Sequence, residues 1–407
     1  MSDLHHLLTF PERPISESSY LPELTRLLSA GIPATYTLEQ AAAFERGEEV
    51  TEEDSNTTPL HILCRSLPSF EGSSKLSEDE ESVVLKLMDT LLEYGAGWNF
   101  LDYENKHIGD LVLERKYPQD HCIYQRIVDA GVSAELLLRK IDGGEIEFIE
   151  DPEDAATEAA TEAATEAEVI EGVTKGSEEA PFEDATAADQ ATYLKTDLEY
   201  TDDALVTKEN RDGVMMDWET DIMSMAAKSL VSTRSTDECV VLNIGFGMGI
   251  IDNFIQDEKV TKHYICEAHP DVLAKMKETG WFDKENVVIL EGRWQSRLNE
   301  LLDQGEVFFD GIYYDTFSEH YQDMLDLYDV IVGLLKPEGT FSFFNGLGAD
   351  RPVCYDVYRK IVELDVANYG MECRYQVINL RTLPNWNDVK RSYFNCTYYY
   401  HPEIRFA

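Results

Sequence analysis

Val241-Leu-Asn-Ile-Gly-Phe-Gly-Met-Gly249 carries a mostly apolar run straight into a glycine-rich turn. That is the pattern of a strand that stops at a phosphate-height loop before a helix. Gly245, Gly247 and Gly249 alternate, so the backbone can turn sharply and press against a ligand at the helix N-terminus, where side chains would collide. The spacing is GxGxG, whereas a dinucleotide fingerprint is GxGxxG.

The next apolar stretch, His263-Tyr-Ile-Cys-Glu-Ala268, reads as a second strand ending in an acid. Glu267 follows Gly245 by 22 residues, the place from which a carboxylate accepts hydrogen bonds from ribose hydroxyls in sheets of this kind. Alone, Glu267 reads equally as a solvated strand-end acid and the loop as a turn of any α/β protein. Together they favour ribose binding and an S-adenosylmethionine site.

From about Ala187 to the C-terminus, strands and helices alternate in the manner of a doubly wound, mostly parallel α/β sheet. The expected strands are Val240 to Ile244, His263 to Glu267, Val287 to Glu291, Phe309 to Asp315, Thr340 to Asn345, Tyr375 to Asn379 and Asn395 to Tyr400. Asp271 to Glu278 and Tyr321 to Leu335 have helical spacing. Leu334-Leu-Lys-Pro-Glu-Gly-Thr-Phe341 predicts a helix end, a Pro-Gly turn and a strand.

The chain has 407 residues, of which 43% are apolar, enough for two or three domains with ordinary cores. Its formal net charge of -45 argues against general affinity for nucleic acid or anionic membrane and suits a basic protein partner. Simple solubility is the alternative reading of that charge. Seven scattered cysteines without CxxC or His-rich spacing read as reduced structural thiols, with no metal expected. Met1-Ser-Asp-Leu-His-His lacks the plan of a signal peptide, and no apolar run reaches membrane-spanning length. The expectation is a cytoplasmic and nuclear protein, monomeric, without membrane contact.

Residues 1–150 contain an imperfect repeat: Leu27-Leu-Ser-Ala-Gly-Ile-Pro33, Leu91-Leu-Glu-Tyr-Gly-Ala-Gly97 and Ile127-Val-Asp-Ala-Gly-Val-Ser133. Each is read as a helix end stopped by glycine. Thr58-Pro-Leu-His61 lies between the first two, and Asn105-Lys-His-Ile-Gly-Asp-Leu-Val112 between the second and third. The pattern is similar to ankyrin repeats, which bury their apolar stripes by stacking and offer a surface for another protein. An inert cap on the next domain explains the repeats about as well. His61 is expected to stabilise its turn. Residues 151–186, with repeated Ala-Ala-Thr-Glu, read as an acidic low-complexity linker, and 187–407 as the nucleotide-binding domain.

Two further clusters carry chemistry. Val214-Met-Met-Asp-Trp-Glu-Thr220 precedes the glycine loop, and Phe309-Asp-Gly-Ile-Tyr-Tyr-Asp-Thr-Phe317 forms the fourth strand and its exit. Asp315 at that exit should face the ligand's reactive end. Without such a site, Glu219 would be an exposed helix acid and Asp315 a helix cap. The Met215 to Thr220 block, Gly245-Phe-Gly-Met248, Glu267, Gly292-Arg-Trp294, Phe309-Asp-Gly-Ile312, Tyr314-Asp-Thr316 and Leu334-Leu-Lys-Pro337 together resemble the guanidinoacetate methyltransferase family over the last half of the chain. With the ankyrin-like part and acidic linker added, the whole is similar to the fungal type IV, or δ-N, protein arginine methyltransferases.

That resemblance implies S-adenosyl-L-methionine as cofactor, held by Phe246, Gly247, Met248, Gly249, Ile250, Ile251, Glu267, Ala268, His269, Trp294, Gln295 and Asp315, with Tyr193 and Met215 closing over it. It places Glu219 and Asp315 on a guanidinium, with Gly346 and Leu347 near the substrate. It further implies monomethylation of the internal δ nitrogen of arginine in a basic, ribosomal protein. Phe317 departs from the small-molecule enzymes, which have tyrosine there, as suits a substrate lacking a free carboxylate. The chemistry stands on its own: a guanidinium is planar and offers paired N–H groups that two carboxylates receive in fixed orientation. Asp315 is expected to accept the proton as the nitrogen–carbon bond forms, while Glu219 keeps the remaining charge paired. A small-molecule guanidino methyltransferase and a non-catalytic ankyrin scaffold are the competing readings.

Overall fold

The computed structural model describes residues 2–48, 55–72, 74–142, 190–234, 238–380, 384, 386, 389–390 and 392–407. The expected linker 151–186 lies outside them. Residues 1–132 and 186–407 form one compact unit, and a second begins at Ser133.

The chain opens with helices α1 (Asp3–Leu7), α2 (Glu17–Ser29), α3 (Leu38–Arg46), α4 (Pro59–Ser66), α5 (Glu78–Glu93), α6 (Ile108–Glu114) and α7 (Cys122–Asp142). Pro59 starts α4 behind Thr58, and His61 pins that turn. Its Nε2 donates to the Phe100 carbonyl at 3.1 Å, so its Nδ1 accepts from the Thr58 hydroxyl at 2.8 Å. Helices α2 and α5 do end just before left-handed glycines, Gly31 and Gly95. The third expected stop is corrected: α7 runs through Gly131 without a break. Gly131 serves packing, since a Cβ there would lie 2.5 Å from Val357 Cγ2 and 3.1 Å from the Trp98 ring.

After the short α8 (Gln190–Tyr193), strands β1 (Leu198–Tyr200), β2 (Ala204–Thr207) and β3 (Gly213–Met216) form a small antiparallel sheet. It leads through a single turn, Asp217–Glu219, into α9 (Thr220–Leu230).

The main sheet comprises β4 (Val240–Ile244), β5 (Lys262–Glu267), β6 (Val287–Glu291), β7 (Phe309–Tyr314), β8 (Leu335–Phe343), β9 (Met371–Asn379) and β10 (Tyr398–Phe406), in the order β6-β5-β4-β7-β8-β10-β9. The first five are mutually parallel, and β10 runs antiparallel to β8 and β9. Strand order therefore reverses between β4 and β7, and ligands of open α/β sheets bind at that switch point. Period-two alternation splits the core. Val241, Ile265 and Tyr313 face one apolar layer with Met223, Ile251 and Ile255, while Leu242, Ile244 and Ile312 face the other with Leu327, Ile331 and Val362. Helices α10 (Ile250–Asp257) and α11 (Pro270–Glu278) belong to the first layer; α12 (Trp294–Gln304), α13 (Tyr321–Leu334) and α14 (Pro352–Ala367) belong to the second.

Several boundaries differ from expectation: β9 starts earlier, at Met371, and β10 runs on to Phe406. The Pro-Gly turn is a bulge inside β8: Leu335 pairs with Phe309 and Thr340 already pairs with Gly311. The last strand starts at Tyr398, since the Asn395 amide donates to the Ala349 carbonyl at 2.8 Å rather than to a neighbouring strand.

The N-terminal helices pack on α14. Gly109 accepts Val353 as Gly131 accepts Val357. Around this contact Tyr124 donates to Asp356 Oδ2 at 2.9 Å, Tyr400 donates to Asp356 Oδ1 at 2.7 Å, and Gln119 Nε2 reaches the Tyr398 hydroxyl at 2.5 Å. Asp356 is 2% exposed, and donors from both sides of the contact satisfy its buried oxygens. Among the described residues no helix is long and apolar enough to cross a membrane, and all seven cysteines are free.

Candidate active site

The glycine loop leaves β4 at the switch point and is built against the exit of β7. Gly245 has φ +94°, and a Cβ on it would lie 1.9 Å from the Asp315 carbonyl oxygen. No side chain fits there. The Asp315 amide in turn donates to the Ile244 carbonyl at 2.9 Å. Behind the loop, Asn243 donates to the Gly245 carbonyl at 2.7 Å and to Asp252 on α10 at 3.0 Å, and Asp252 meets His263 at 3.1 Å. All three side chains are fully buried.

A narrow pocket of about 50 Å³ opens in front of Gly245 and Gly247, walled by Tyr193, Met215, Glu267, Ala268, Trp294, Asp315 and Thr316. Met215 lies over Gly247, its Sδ accepting from the Met248 amide at 3.2 Å. Tyr193 closes the opposite side, its ring 4.8 Å from His269 and 4.9 Å from Phe317. Glu267 accepts three backbone N–H groups, from Phe246 and Ala268 at 2.8 Å and from His269 at 2.7 Å. Burial pushes its carboxyl up and those three amides pull it back. A carboxylate has about four acceptor positions, so one remains for a ligand hydroxyl.

Seven of the expected cofactor residues lie outside this lining. Phe246 and Ile251 are buried in the apolar layer behind the loop. Gly249 is the left-handed cap of α10, which starts at Ile250, and Met248 turns its amide to Met215. His269 Nδ1 accepts from the Asp271 amide at 3.1 Å, so Nε2 donates to the carbonyls of Tyr193 (3.1 Å) and Thr196 (3.0 Å). Gln295 points its amide nitrogen at Glu319.

The residues present fit an adenosine-bearing ligand. Gln190 Oε1, in the pocket wall, and Gln295 Oε1 are buried acceptors with no hydrogen-bond partner among the described residues. Such groups call for donors.

A second cavity of about 390 Å³ adjoins the first through Val214, Asp315, Thr316 and Phe317. Its lining includes Glu219, Asp315, Phe344, Gly346, Leu347 and Tyr393. Glu219 arrives on the single turn after β3 and is 2% exposed, rather than an exposed helix acid. Burial, then the charge of Asp315, holds its carboxyl well above the usual range, opposed by the Tyr393 hydroxyl, which donates to Oε1. Burial, then the charge of Asp252, pushes the Asp315 carboxyl up to about 7. Tyr393 is wedged in an aromatic wall, its ring 4.5 Å from Trp386 and 6.1 Å from Trp218 and Phe344. Two buried acids without a nearby cation are costly, and a planar cation relieves both.

Tyr393 and Glu319 were missed at the sequence level. Glu319 stands in the exit segment already marked by Tyr314-Asp-Thr316, so its acid was visible there. Tyr393 meets Glu219 across 174 positions and left no local signal.

The family model described as Guanidinoacetate N-methyltransferase matches residues 182–401. Among similar proteins, the protein arginine N-methyltransferase 2 of Candida glabrata is 65% identical and that of Saccharomyces cerevisiae 61%, each alignment covering 100% of both chains. The Yarrowia lipolytica protein of the same name is 40% identical over 99% of this chain and 97% of its own. A solved spermidine synthase from Thermotoga maritima covers 51% of this chain and 71% of its own at 15% identity, with a TM-score of 0.36.

Proposed function

This chain belongs to the guanidinoacetate N-methyltransferase family and, over its full length, to the fungal protein arginine N-methyltransferase 2 group; from that premise we propose that it monomethylates the internal δ nitrogen of an arginine in a basic protein. It is an S-adenosylmethionine-dependent arginine N-methyltransferase. A ribosomal protein is the substrate class this reading expects, met in the cytoplasm or nucleus by a monomer. A net charge of -45 draws such a basic partner in.

The observation that carries the reading is the pair of buried carboxylates, Glu219 and Asp315, in one cavity that opens onto the glycine-loop pocket. When bound, the cofactor supplies an electrophilic methyl group on a sulfonium. Glu219 grips the guanidinium and keeps its charge paired. Asp315, at the seam of the two cavities, orients one nitrogen toward the methyl carbon, where proximity and alignment lower the barrier. The nitrogen that takes up the methyl group must give up a proton, and Asp315 Oδ2 would accept it, the cofactor leaving as its demethylated thioether. The unpartnered state of Oδ2 supports that assignment.

Radiolabelled methyl transfer to a protein extract, followed by acid hydrolysis and amino-acid analysis, tests the proposal. Label in δ-N-methylarginine is the expected result. The family description itself favours one competitor, a methyltransferase of small guanidino compounds, and label confined to those compounds selects it.

A further inference from the structure

Glu319 follows the exit of β7 and takes no part in the chemistry described so far. Its Oε1 accepts from Gln190 Nε2 at 2.5 Å, Trp294 Nε1 at 3.0 Å and Gln295 Nε2 at 3.1 Å. Its Oε2 accepts from Thr316 Oγ1 at 2.7 Å, from Trp294 Nε1 at 3.0 Å and from the Tyr314 hydroxyl. Five side chains from three parts of the fold thus converge on one carboxylate. Gln190, Trp294 and Thr316 wall the cofactor pocket, which Glu319 itself does not touch.

We propose that Glu319 is the positioning residue of the cofactor site: by taking the amide nitrogens of Gln190 and Gln295 it fixes how both amides are turned, and so presents Gln190 Oε1, from the pocket wall, as an acceptor to the exocyclic amine of the cofactor's base. The inference rests on the S-adenosylmethionine reading. An amide side chain has one donor end and one acceptor end, nearly equal in shape, and only its partners decide which faces where. Both carbonyl ends, Gln190 Oε1 and Gln295 Oε1, are buried and lack a partner among the described residues. An ionised carboxylate is acceptor-only, so it holds both nitrogens without offering a competing donor. A glutamine at 319 would set an NH2 group among five donors and release both amides to turn over.

The test is the affinity of the full chain for S-adenosylhomocysteine against its deaminated analogue S-inosylhomocysteine, by isothermal titration calorimetry, with kcat measured at saturating cofactor. The parent should prefer the adenosyl ligand by about tenfold or more, the share of one well-placed hydrogen-bonded group. Glu319→Gln should bring that preference to within about threefold while raising Kd for the adenosyl ligand. Glu319→Asp, which keeps the acceptor-only group, should bind more weakly but retain the preference, and it stands in if Glu319→Gln does not fold. An undiminished preference in Glu319→Gln overturns the proposal, as does a parent that binds both ligands equally. Unchanged affinity with lost kcat also overturns it and moves Glu319 to the handling of arginine. A parent that binds neither ligand removes the cofactor reading itself.

Discussion

Glu219 and Asp315 face one cavity, and the charge on Asp315 adds to burial in driving the Glu219 carboxyl upward. Each acid makes ionisation of the other harder, and an arriving guanidinium reverses that. Because Asp315 is held at about 7, it must lose its proton before it can accept one. The value of kcat/KM should therefore rise with pH through about 7, and a profile flat across that range removes Asp315 as proton acceptor.

Asp315→Asn keeps the shape and removes the acceptor of the proton. Turnover should fall by about 10²- to 10⁴-fold, with cofactor Kd within roughly threefold of the parent. Initial rates and a binding titration separate the two, and equal losses in both would leave no catalytic role for the residue.

Glu219→Gln should abolish activity yet stabilise the protein without ligand at alkaline pH. The Glu219 carboxyl is raised in the folded state above its usual 4.5, so the folded chain binds more protons than the unfolded chain between those limits. Stability carried by the protonated acid is full below about 4.5 and is lost as pH rises through the folded value. The neutral amide escapes that loss. At pH 8 the variant should melt roughly a few degrees higher than the parent, the difference closing at low pH. A lower melting temperature at pH 8 refutes the assignment.

Tyr393→Phe removes the hydroxyl that helps ionise Glu219. The acid limb of the pH profile should move to higher pH, and KM for arginine at neutral pH should rise about tenfold, as for a lost bond to a charged acceptor. A profile superimposable on the parent's would separate Tyr393 from the site.

Gly131→Ala sets two effects against each other. Helix propensity gains about 1 kcal/mol, while overpacking Val357, whose Cγ2 would sit 2.5 Å away, costs about 1–3 kcal/mol. Overpacking should win, and Val357→Ala in the same chain should recover part of the loss in denaturant unfolding. The same contact predicts that a fragment starting near residue 187, which uncovers Val353, Val357 and Asp356, is less soluble and less stable than the full chain.

What was legible in the sequence is the sheet and its two ligand-facing exits. Alternating glycines, a strand-end acid and an Asp after an apolar strand are local signals, and β4, β5 and β7 follow them. What was not legible depends on distant packing. A glycine that ends a helix and one that admits a neighbour look alike in text, and only the contact with Val357 distinguishes Gly131 from a helix stop. Lys336 to Gly339 reads as a turn, yet the strand continues past it because Thr340 to Phe343 still pair with β7. Asp315 is marked by its place at a strand exit and the pairing with Glu219 by resemblance, but the tyrosine that serves Glu219 comes from the segment before β10, which has no periodicity to mark it.

The near-contact between Gly245 and the Asp315 carbonyl has a last consequence. The loop that cradles the donor and the acid that handles the acceptor share one backbone surface, with no room for so much as a methyl group between them. Mutational drift at either segment is then felt by both halves of the reaction at once.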